Sequence, residues 1–143
     1  MCLVAEERSR KVADKDIHVW KLVRFGQDHD HWHGPIYSMN GLFDTVVTSD
    51  PLDETEYDHC FDFYYFKYIV SITSGFIHAH LTREHAEKQR DNLIREDSSS
   101  CNLYKRCFVC EATIPKGSVY YVDIDGEEIA TSKIIVHKPK ELE

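Results

Sequence analysis

Between Cys107 and Val136 the residues alternate and turn in a pattern that leaves few architectures open. Phe108, Cys110, Ala112 and Ile114 recur at every second position, the period of one face of a β-strand. Pro115-Lys116-Gly117 then breaks the run, because proline presets φ and glycine accepts positive φ. Val119 to Ile124 reads as a second strand, and Asp125-Gly126 supplies the residues that a type I′ hairpin turn demands. Ile129 to Val136 returns as a third. The pattern predicts a C-terminal β-meander over 103–137, and therefore an antiparallel sheet to which the upstream segments must add.

Those segments supply further strands. Ile17 to Phe25 is rich in β-branched and aromatic residues and is stopped by Gly26. Ile36 to Met39 and Leu42 to Val47 flank Asn40-Gly41, a second type I′ signal that predicts another hairpin. From Thr48 to Asp58, five acids gather around Pro51 as a solvated loop; their spacing does not match a calcium-binding loop. Phe61 to Val70 carries aromatics on both parities, which predicts a strand covered on both faces. A base-stacking surface would need more cations than Lys67 alone.

Phe76 to Leu81 reads as a short strand. Thr82 is placed to cap a helix over 83–95, whose narrow stripe of Ala86, Arg90, Leu93 and Ile94 suits a helix lying on a sheet. Strands, one helix and strands again predict an α+β domain, mostly antiparallel, over 16–138. A polar N-terminal arm is expected at 1–15 and a short tail at 139–143.

With 17 basic and 25 acidic residues the formal charge is −8, which repels phosphate backbones and argues against a broad nucleic-acid surface. The start of the chain lacks the basic head and apolar run of a signal peptide, and no apolar run reaches the ~20 residues of a membrane span. Five cysteines, an odd count, fit free thiols in a reducing cytoplasm.

Three groups of residues could carry chemistry. His29, His31 and His33 offer three imidazoles in one loop, a ligand set for zinc with an open fourth position, or simply a solvated polar loop. His78 and His80 share one face of a strand by parity. Cys107 and Cys110 are spaced like a metal or redox pair, yet residues three apart on a strand face opposite ways, so Cys110 reads as a small core residue. No Gly-x-Ser-x-Gly nucleophile elbow occurs, and no glycine-rich phosphate loop, which sets aside Rossmann and P-loop nucleotide binding.

The segments Lys21-Leu-Val-Arg-Phe25, Gly75-Phe-Ile-His-Ala79, Cys110 to Tyr121 and Asp125 to Ile135 together resemble small proteins of bacteriophages and of gut Bacteroidales genomes. The Ile-Pro-Lys-Gly-x-x-Tyr-Tyr run is the most specific of these. That resemblance implies a mobile-element origin and no particular activity.

A looser likeness is to the ADP-ribosyltransferase fold, in the order Arg24, Ser71-Ile-Thr-Ser74 and Glu127-Glu128. It implies NAD as cofactor, held by Arg24 at the pyrophosphate and by Thr73. Ser71 would meet the nicotinamide ribose, and Glu128 would stabilise the oxocarbenium-like state. Here the late acids are adjacent and follow a turn, which departs from that family. The leading expectation is a non-catalytic binding protein with an acidic surface that engages a host protein. The alternatives are the NAD-using enzyme and a zinc protein built on His29 to His33.

Overall fold

The computed structural model describes residues 3–25, 29–34, 39–96 and 107–140. In chain order the strands are β1 (Leu3–Glu6), β2 (Lys11–Val12), β3 (Ile17–Phe25), β4 (His31–His33), β5 (Asn40–Leu42), β6 (Val46–Thr48), β7 (Asp58–Asp62), β8 (Lys67–Ile72) and β9 (Ile77–His80). The helix α1 (Arg83–Glu96) follows, then β10 (Cys107–Ile114), β11 (Val119–Val122), β12 (Glu128–Thr131) and β13 (Lys133–Val136). The fold is α+β, mostly antiparallel, with one α-helix among the described residues and a C-terminal strand meander.

Ten strands form one sheet, in the order β2-β11-β12-β9-β3-β10-β13-β6, with β4 and β5 attached to the far end of β3. The backbone of this sheet is the β3–β10 ladder, which runs from Ile17 opposite Ile114 to Arg24 opposite Cys107. The other edge of β3 serves two partners, β9 at Trp20 and β4 at Arg24 and Phe25. Val19 and Val23 of β3 pack with Ala112, Ile114, Ile77 and Ile134 in the main core. Leu22, on the opposite parity, is buried as well, and α1 packs against β3, β9 and β10. Thr82 caps this helix as expected, its hydroxyl accepting from the His85 amide at 3.2 Å.

The second sheet is three-stranded, in the order β1-β8-β7. Its core residues Leu3, Ala5, Val70 and Ile72 meet Tyr121 and Ala130 of the large sheet, so the two sheets share a buried seam. Tyr121 is pinned there: its hydroxyl donates to Glu54 Oε1 at 2.6 Å and accepts from Arg10 Nε at 3.1 Å. Removing each such aromatic or branched side chain from water contributes about 1.5–3 kcal/mol.

Several expected elements differ in the structure. The N-terminal arm expected at 1–15 is built into both sheets, with β1 paired to β8 and β2 to β11. Among its described residues only Leu3, Ala5 and Ala13 are buried, too few and too widely spaced to read as a period. Asn40-Gly41 lies inside β5, paired to β4, and the chain reverses at Asp44, where φ is 57°. Residues 36–38 of the expected partner strand lie outside the described residues.

Gly41 is needed for close approach: a Cβ there would overlap Val47 Cγ2 and crowd the Trp32 ring at 3.2 Å. The acidic segment is ordered around a 3₁₀ turn at Glu54–Glu56, capped reciprocally by Asp53 and Glu56, with Tyr57 buried behind it. The expected last strand bends at Ser132, which lets β12 pair with β9 and β11 while β13 pairs with β10 and β6. Gly41→Ala should destabilise the protein by about 1–3 kcal/mol in chemical denaturation, the usual cost of overpacking. A change below about 0.5 kcal/mol would show that the β5–β6 contact is not tight.

Candidate functional site

The segment expected to be a two-sided core strand, Phe61 to Val70, is instead a hairpin tip. β7 and β8 pair from Asp58 opposite Ser71 to Asp62 opposite Lys67, and residues 63–66 make the turn. The Asp62 carboxylate holds that turn by accepting from the amides of Tyr64 at 2.8 Å and Tyr65 at 3.0 Å. Phe66 closes it at φ 56°, in the left-handed region. That conformation costs a non-glycine residue about 1–2 kcal/mol.

The tip presents its rings to solvent: Phe63 is 84% exposed, Tyr64 88%, Phe66 77% and Tyr68 63%. Phe63, Phe66 and Tyr68 cluster around Phe61, which meets them edge-on with centroids 5.1, 5.3 and 5.0 Å away, while Tyr64 meets Tyr65 at 4.9 Å. Tyr65 ties the tip to the β11–β12 turn by donating to the Asp125 carboxylate.

The rim of this patch is largely acidic. Asp62 and Asp125 flank the turn, and Lys67 is engaged with Glu6 at 3.5 Å. A shallow depression beside Tyr68 is lined by Glu6, Glu7, Arg8 and Lys67. His59 lies between the Glu54 carbonyl and Glu7, and these two acceptors, in that order, raise its pKa.

A second group of residues converges on the outer face of the large sheet. His80 of β9 and Glu128 of β12 are direct cross-strand partners, and His85 reaches them from the first turn of α1. His80 Nδ1 stands 2.8 Å from His85 Nδ1 and 3.9 Å from Glu128 Oε1, while His85 Nε2 meets Glu127 Oε2 at 3.1 Å. His80, His85 and Glu128 are nearly buried, and Glu127 is the exposed member. Burial pushes the His80 pKa down to about 3, helped by His85, and burial followed by the Asp123 charge raises that of Glu128. Sequence parity correctly placed His78 and His80 on one face. The partners of His80 lie five and forty-eight residues away, on elements whose pairing the spacing does not reveal.

The other candidate residues are scattered. His29 is exposed in a turn at φ 58°, and His31 and His33 flank the buried Trp32 on β4. Among the described residues, the one set of donor atoms that converges as a cation would require is His80, His85 and Glu128; His29, His31 and His33 do not assemble one. Arg24 lies on β3, its Nη2 3.5 Å from the Gly34 carbonyl.

Ser71 and Thr73 belong to β8 and the residues just after it, in the smaller sheet, whereas Glu128 is on β12 of the larger one. No hydrogen bond or ion pair among the described residues joins Arg24, Ser71, Thr73 and Glu128. Cys107 and Cys110 are buried on one strand, opposite Arg24 and Lys21. No helix among the described residues is long and apolar enough to cross a membrane. Comparison of the chain with protein-family models, curated proteins and solved structures finds no match.

Sequence reasoning passed over Lys21. It sits mid-strand on β3 at 7% exposure, with its ammonium 5.9 Å from the Trp32 ring centroid. Burial lowers its pKa to about 8, against a smaller opposing pull from the two cysteines. Between that value and the 10.5 of an exposed lysine, the unfolded chain holds a proton that the native chain has shed. Stability therefore rises with pH across this window, and the full desolvation cost is felt below it. Lys21→Met should raise stability at pH 7 by about 1–3 kcal/mol and abolish that rise. Denaturation curves at pH 7 and 10 check both, and a destabilised variant would contradict the assignment.

Proposed function

We propose that this chain is a non-catalytic interaction protein that docks through the aromatic tip of the β7–β8 hairpin. The observation that carries this reading is the joint exposure of Phe63, Tyr64, Phe66 and, at the start of β8, Tyr68, around a turn whose backbone is strained at Phe66. Aromatic side chains bury roughly 150–250 Å² each when covered, and Tyr, Trp and Phe dominate interface hot spots. A turn selected for stability alone would place Gly or Asn at position 66; keeping Phe there favours the contact over the fold.

The acidic rim sets the chemistry of the partner. Asp62, Asp125, Glu6 and Glu7 disfavour anionic lipid and nucleic acid, and fit a protein whose apolar groove is edged by Lys or Arg. The resemblance of 110–121 and 125–135 to phage proteins supports a host protein in the cytoplasm as that partner.

The triple variant Phe63→Ser, Tyr64→Ser, Phe66→Ser should keep the circular dichroism and unfolding of the parent. It should lose those captured proteins whose retention falls with salt. Identical captures by both forms, or cosedimentation of the parent with phosphatidylserine vesicles, would overturn the proposal. Phe66→Gly separates fold from contact: it should gain about 0.5–1 kcal/mol of stability while weakening capture. Equal capture by this variant would remove Phe66 from the contact.

A further inference from the structure

We infer that His80, His85 and Glu128 form a binding site for one first-row divalent cation of the zinc class. Two imidazoles and one carboxylate are the donor set such ions favour, whereas calcium and magnesium take oxygen ligands. The donors come from two paired strands and the capped start of a helix. They are therefore held by backbone pairing and not by loops.

Three observations point to a cation beyond proximity. The first is the contact between His85 Nε2 and Glu127. A carboxylate this close to Nε2 favours the tautomer protonated there, which leaves the lone pair on Nδ1, the atom turned toward His80. This is the outer-shell carboxylate that commonly orients a metal-bound histidine.

The second is the Glu128 carboxylate, nearly buried, with no hydrogen-bond donor among the described residues; His80 stands 3.9 Å away. Such a carboxylate, left with little solvent, is costlier to ionise than an exposed one, and a bound cation offsets that cost.

The third is the spacing. Nitrogens bound at about 2.0–2.1 Å stand about 2.9 Å apart at a right angle and about 3.3 Å apart in a tetrahedron. The observed 2.8 Å between the imidazoles therefore needs little adjustment, whereas Glu128, 3.9 Å from His80, must close by more than about half an ångström. The positive end of α1 opposes a cation weakly, and the carboxylates of Glu128, Glu127 and Asp123 answer it. Three protein ligands would leave at least one coordination position for water or a small anion.

Chelator-treated, dialysed protein titrated with Zn²⁺ by calorimetry at pH 7.5 should take up one equivalent, and Co²⁺ should give visible d–d absorption. His85→Ala and Glu128→Gln should weaken binding by about 100-fold or more, and Glu127→Gln by about 10-fold. His31→Ala should leave stoichiometry and affinity unchanged. Glu128→Gln preserves shape, so it keeps the test informative even where loss of an imidazole disturbs packing. Absence of Zn²⁺ uptake, binding that survives both His85→Ala and Glu128→Gln, or binding lost with His31→Ala would each overturn the inference. All are read on the isolated chain, so none depends on the docking proposal.

Discussion

The β3–β10 ladder is the constraint from which the rest of this structure follows. Eight consecutive cross-strand pairs set one face of β3 toward the main core and the other toward α1. Because β3 is nine residues long, its free edge accepts both β9 and β4, and β9 in turn accepts β12. That succession puts Trp20, His80 and Glu128 in one transverse row. The helix is fastened over the same row, with Arg90 Nε donating to the Cys107 carbonyl at 2.6 Å. A one-residue slip of β3 would turn Val19 and Val23 outward and dismantle core and row together.

Two parts of the molecule depart from what stability alone would select, and they depart differently. Inside the sheet, Lys21 and Glu128 place ionisable groups where apolar residues would pack, as Val19 and Ile129 do beside them. At the hairpin tip the departure is reversed, with apolar rings in solvent and a phenylalanine in a glycine conformation. The scaffold between them obeys ordinary rules: alternating strands, a capped helix and turns with glycine at φ 90° and 75°. Local violations on an otherwise consistent framework mark where function resides.

What the sequence disclosed is what short periods encode. The strand at 17–25, the helix after Thr82 and the glycine turns at 117 and 126 follow from alternation, capping and φ > 0, and the structure has them. Asn40-Gly41 misled because glycine serves close approach as well as turning, and Val47 decides between the two from another strand. The aromatic run misled because rings on both parities describe a buried strand and an exposed turn equally well. No Gly, Asn or Pro at 63–66 marks the reversal.

The histidine and glutamate cluster was only half visible: parity paired His78 with His80, but His85 and Glu128 arrive through tertiary pairing. The ADP-ribosyltransferase order of Arg24, Ser71 and Glu128 was legible as an order alone, and the fold spreads those residues over two sheets.

Under the proposed function, contact with a protein partner is made by the hairpin tip and not by the scaffold strands of the large sheet. Site-specific photo-crosslinking in cells tests this most directly. A benzophenone side chain is placed at Tyr64, or at Phe108, an exposed ring on the scaffold strand β10. The account predicts a discrete high-mass adduct from position 64 and none from position 108. Adducts from 108 alone, or from neither, would contradict it.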